Sequence, residues 1–115
     1  MVDTESDKNN DKDTQKLGGN IELSGFSEFD RAEMIVIKKI VGNYVRKFID
    51  MEKGVLNVKV TAKSVHEREK STKFEIHVLI NLKEGKPIAA QGTGRNLFMV
   101  IDEAFKNAEH MLSSE

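Results

Sequence analysis

The chain has 115 residues, 38% apolar and 32% charged, with a net charge of −1; that length suits one domain with a single modest core. The absence of Cys excludes disulfides, thiolate catalysis and Cys-based zinc sites. No apolar run approaches the ~18 residues of a membrane span and the charged N-terminus has no signal-peptide stretch, so a cytoplasmic protein without membrane attachment is expected.

Residues 1–20 are dominated by Asp, Asn, Lys and Thr and close on Gly18-Gly19. Little in them could be buried against the entropy of ordering, so composition assigns them to a disordered tail and 21–115 to one α+β domain. Ile21 to Ser24 alternates apolar and polar and reads as a first strand. Asp30 with Glu33, or Ser27 with Asp30, offers a helix N-cap and its partner three residues on. Ile37, Ile40, Val41, Tyr44, Val45 and Phe48 then form a helical stripe that predicts a helix to about Met51, stopped by Gly54.

Strict alternation follows, with Leu56, Val58, Val60 and Ala62 on one side and Asn57, Lys59, Thr61 and Lys63 on the other. The polar stretch from Ser64 to Thr72 reads as a loop. A third strand sets Phe74, Ile76, Val78, Ile80 and Leu82 inward, and a turn at Lys83 to Lys86 leads to a fourth from Pro87 to Gln91. Gly92-Thr93-Gly94 breaks it, and a last helix runs from about Asn96 to Leu112. The expected order is β-α-β-β-β-α: a two-layer sandwich, two helices packed on one face of a four-stranded sheet.

No catalytic motif is present. His66, His77 and His110 are placed on a loop, an outward strand position and a helix surface, which gives no convergent metal site; no enzyme activity, metal or cofactor is expected. The Gly92 to Asn96 run has two readings. It is either an anion cradle aided by Arg95, or a tight strand-to-helix connection capped by Asn96, and the second is preferred because the spacing of phosphate-binding glycine loops is missing.

Charge is unevenly distributed: residues 35–95 hold thirteen bases against six acids, and both flanks are acidic. On the first helix Lys39 and Arg46 fall opposite the apolar stripe, and Lys38 and Lys47 flank that stripe on its two sides. Two outward and two flanking bases make a candidate phosphate track. Lys59, Lys63 and Lys73, on the uncovered sheet face, form a separate second-choice patch. On charge alone, nucleic-acid contact and a plain solvated surface are equally good readings.

The last forty residues add a resemblance. Lys73 to Val78, Ala89-Ala90-Gln91-Gly92 and the run from Asn96 through Asp102 to Phe105 resemble the ribosome hibernation-promoting factor family, also called the ribosome-associated inhibitor family. Asn96 and Phe98 replace the family's Asp and Tyr, and the basic positions at the end of its second helix fall here on Asn107 and His110. The resemblance implies a non-enzymatic RNA-binding protein that occupies the small ribosomal subunit when translation is low. With Asp102, Glu103 and Glu109 on helix two, RNA contact is expected from Lys38, Lys39, Arg46 and Lys47, with Arg95 at the start of helix two. The alternative is a protein–protein interaction module of the same fold that has lost RNA binding. A monomer is expected, with a weak homodimer as the other possibility.

Overall fold

In a computed structural model, residues 13–18, 20–51, 54–68 and 71–114 are described. The elements in chain order are β1 (Thr14–Leu17), β2 (Ile21–Ser24), α1 (Arg31–Met51), β3 (Val55–Arg68), β4 (Ser71–Leu82), β5 (Ile88–Gly94) and α2 (Leu97–Ser113). The sheet has five strands in the spatial order β1-β2-β3-β4-β5. β2 and β3 are parallel, while the other neighbouring pairs are antiparallel. The expected four strands are thus corrected to five, and the order to β-β-α-β-β-β-α.

The additional strand lies inside the segment that composition assigned to a tail. Thr14 to Leu17 pairs with Ser24 to Ile21, closed by Gly18 at φ 63, and Leu17 packs against the core. Backbone pairing at an edge needs little apolar content, and side chains add to it. The Ser27 hydroxyl donates to Asp13 Oδ1 at 2.6 Å, and Thr14 and Ser24 hydroxyls lie 3.3 Å apart. Residues 1–12 of the expected tail lie outside the described residues.

α1 begins at a reciprocal capping box. The Glu33 amide donates to Asp30 Oδ1 at 2.7 Å and the Asp30 amide to Glu33 Oε1 at 3.0 Å, which satisfies two of the amides a helix start leaves unpaired. Its stripe buries Met34, Ile37, Val41, Val45 and Phe48. α2 is capped by Asn96, whose side chain accepts from the Met99 amide at 3.2 Å, and buries Leu97, Ile101, Ala104, Phe105 and Ala108. Both stripes meet the same sheet face, where Leu23, Val58, Val60, Ile76, Val78 and Ile80 are buried with them in one core. Tyr44, Phe48 and Phe105 form its aromatic centre, with Tyr44 stacked on Phe105 at 5.2 Å between ring centroids.

Three local expectations change. The polar stretch from Ser64 to Thr72 is not a loop: β3 runs to Arg68 and β4 starts at Ser71, because a long hairpin can extend past its covered part on backbone pairing alone. Leu56 is 54% exposed, since a register shift between Val55 and Asn57 breaks the alternation and leaves Val55 to pack on the core. Gly92 to Gly94 continue β5 rather than breaking it. A Cβ on Gly92 would lie 2.9 Å from the Val100 carbonyl oxygen and 3.1 Å from the Ala104 amide, so the glycine lets α2 sit directly on β5.

Candidate nucleic-acid interface

The outer surface of α1 carries the candidate track. Lys38, Lys39 and Arg46 are exposed, and among the described residues none forms an ion pair. Lys39 and Arg46 share the outermost ridge, ~10.5 Å apart along the axis at ~1.5 Å per residue. Phosphates of a single strand or a groove wall fall within that reach. Lys47 is placed differently. Its Nζ sits 2.7 Å from Glu109 Oε2 of α2, so its charge is largely compensated inside the protein. Arg95 lies between β5 and α2, donates to the Ser71 hydroxyl and lines a surface cavity together with Ile40 of α1. The five candidates therefore divide into an open trio on α1, one paired lysine at the seam between the helices, and one arginine at the start of α2.

The open sheet face is more nearly balanced. Lys59 is in register with Glu22, which is in turn opposite Lys16. Lys63 is opposite Glu75, and Lys73 opposite Val65. Cross-strand neighbours of opposite sign weaken each other's outward field, so this patch is a poorer phosphate surface than α1. It also lacks the aromatic platform on which bases stack. His77 lies 3.4 Å from Glu75 on the same face. His66 is on β3 rather than in a loop, and no group of three His, Cys, Asp or Glu among the described residues could hold a metal.

The seam between the helices contains a contact that sequence periodicity left out. The Tyr44 hydroxyl donates to Asp102 Oδ1 at 2.6 Å, and Lys106 Nζ lies 3.3 Å from Asp102 Oδ2. Burial, then the hydrogen bond to Asp102, raises the Tyr44 hydroxyl well above its usual range. The same bond, offset in part by desolvation and assisted by Lys106, lowers the Asp102 carboxyl below 3.8. Lys106 follows Asp102 by four residues on α2, a pairing legible from spacing. The reach of Tyr44 to Asp102, 58 positions apart, needs the fold.

A pH effect follows. A carboxyl lowered by folding stabilises the fold fully above its unfolded value of 3.8 and loses that contribution as pH falls through the lower folded value. Tyr44→Phe removes the main cause of the shift. The variant should melt lower than the parent near neutral pH, and the gap should narrow as pH falls below about 4. Paired thermal melts between pH 7 and pH 2.5 check this; a gap independent of pH would exclude the bond as its source.

The architecture is that of a small α+β domain whose first helix presents three basic side chains without ion-pair partners among the described residues. No protein-family model and no curated protein matches the chain. Among solved structures it is similar to the N-terminal domain of Thermus thermophilus Protein Y, at 16% sequence identity and a TM-score of 0.61, covering 87% of this chain and 98% of that domain. That likeness is one of fold. Among the described residues, no helix is long and apolar enough to cross a membrane.

Proposed function

We propose that this chain is a non-enzymatic, ribosome-associated RNA-binding protein that occupies the small ribosomal subunit and lowers translation. The observation that carries the reading is the α1 ridge of Lys38, Lys39 and Arg46, exposed and without acid partners among the described residues. The resemblance of residues 73–112 to the hibernation-promoting family supports it in sequence, and the likeness to the Protein Y domain supports it in fold. α2 contributes little to phosphate binding, because Asp102, Glu103 and Glu109 outnumber Lys106 on it. Lys47 serves the helix seam, and Arg95 borders the RNA rather than anchoring it.

Co-sedimentation with purified small subunits tests the proposal. Binding should be retained at about 50 mM monovalent salt and fall by about 20- to 40-fold by about 200 mM, as counterion release from three phosphate contacts requires. Absence from the subunit pellet at low salt would favour the alternative, an interaction module that keeps the fold without the RNA.

A further inference from the structure

The outer ridge of α1 is not only basic. Ile35 is 64% exposed and Ile49 42%. Ile35 precedes Lys38 and Lys39 by three and four residues, and Ile49 follows Arg46 by three, spacings that make them neighbours on a helix surface. A phosphate backbone makes no use of exposed isoleucine. A peptide of acids and apolar residues covers both kinds of side chain at once.

Residues 1–12 have that composition. Asp3, Glu5, Asp7 and Asp11 are offset only by Lys8 and Lys12, and the apolar residues are Met1 and Val2. Asp13 fixes the place at which the segment joins the fold. Its carbonyl accepts from the Gly25 amide at 3.2 Å and its carboxylate from the Ser27 hydroxyl at 2.6 Å. β1 is antiparallel to β2, so the segment joins at the end of the sheet where β2 finishes, just before α1 begins at Arg31. Twelve extended residues span up to ~40 Å at ~3.3 Å each. Measured from Arg31, Lys38 and Lys39 lie ~10–12 Å along the helix and Arg46 ~22 Å. Asp7, Glu5 and Asp3, six to ten residues before Asp13, are within reach of all three. Glu28, Asp30 and Glu33 near the start of α1 repel them, so the attractive part of the helix is the stretch that carries these bases.

We infer that residues 1–12 dock on the outer ridge of α1, with their acids on Lys38, Lys39 and Arg46 and with Met1 and Val2 against the exposed isoleucines. The docked segment covers the surface assigned above to RNA, so an RNA must displace it and weak phosphate contacts are screened out. The docking stands without RNA; only this guarding role rests on the proposed function. The chain's own segment is favoured over that of a second copy, because a short tether holds it at an effective concentration on the order of millimolar.

The chain has no Cys, so a nitroxide can be attached at a single introduced thiol. In the full chain labelled at Thr4→Cys, paramagnetic broadening should centre on the amides of Ile35, Lys38, Lys39, Gly42 and Arg46 at ~50 mM salt and fade by ~0.5 M. It should also fade when Asp3→Asn, Glu5→Gln, Asp7→Asn and Asp11→Asn are combined. Without the label, that quadruple variant should bind small ribosomal subunits about 3- to 10-fold more tightly than the parent. Broadening that is spread evenly, centred on the open sheet face, or unchanged by salt and by the quadruple variant would overturn the docking. So would broadening that appears chiefly on an isotope-labelled copy without the nitroxide in a mixed sample, which assigns the contact to a second molecule. Focused broadening with no gain in subunit affinity would overturn the guarding role. Subunit binding by neither form would count against the proposed function, while focused broadening would still support the docking.

Discussion

Replacing Lys39 and Arg46 together by alanine should weaken binding to the small ribosomal subunit by about 10- to 100-fold near 100 mM salt. Both side chains lie on the solvent ridge of α1, opposite the stripe of Ile37, Val41, Val45 and Phe48. Their loss leaves the core untouched, and stability should change by no more than ~0.5 kcal/mol. The salt dependence is the more diagnostic readout. Two lost phosphate contacts should reduce the slope of log affinity against log salt by ~1.4 to 1.8. Sedimentation titrations at several salt concentrations, alongside thermal melts, separate the electrostatic effect from misfolding. Unchanged affinity with an unchanged slope would move the phosphate contacts to Lys59, Lys63 and Lys73.

The largest stability effect is expected at Gly25, where Gly25→Ala should cost about 3 kcal/mol or more. Two independent obstacles meet there. The backbone has φ 81, in the left-handed region that disfavours any side chain. A Cβ would also fall on the Ala62 carbonyl oxygen of β3, a backbone atom fixed by the sheet and unable to rotate away. A domain of this size has a total stability of ~5–15 kcal/mol, so the loss should be plain in a urea titration. Gly42→Ala is the matched control. Gly42 lies within α1 with a negative φ, and nothing is within 4 Å of an added Cβ. It should stabilise the protein by ~0.5–1 kcal/mol. Equal effects at the two positions would show that neither contact nor conformation at Gly25 matters.

These two glycines mark how far the sequence was legible. The helix stripes were readable because helical periodicity reports burial directly; Ile37 to Phe48 and Leu97 to Leu112 lie as their spacing indicates. The Asp30–Glu33 cap and the Asn96 cap were readable because their partners are three residues away. β1 was not, since a four-residue edge strand is stabilised by backbone pairing to which composition is blind. Gly92 read only as a break in the strand, whereas its role is set by Val100 and Ala104, as that of Gly25 is by Ala62. In the candidate interface, the outward direction of Lys39 and Arg46 was fixed by helix geometry. The neutralisation of Lys47 depends on Glu109, which only the packing of α1 against α2 brings near.

The parallel pairing of β2 with β3 has a consequence for the order in which the chain assembles. β3 and β4 follow each other directly and pair along most of their length, so their register can form by local search within a short loop. β2 reaches β3 only after α1, a 21-residue helix, has folded back across the sheet, and that closure carries the entropy of a long loop. Among the described residues β1 pairs only with β2, so it joins the rest of the sheet through that same closure. Assembly should spread outward from the β3–β4 hairpin, and the N-terminal strands should be the last to lock and the first to open.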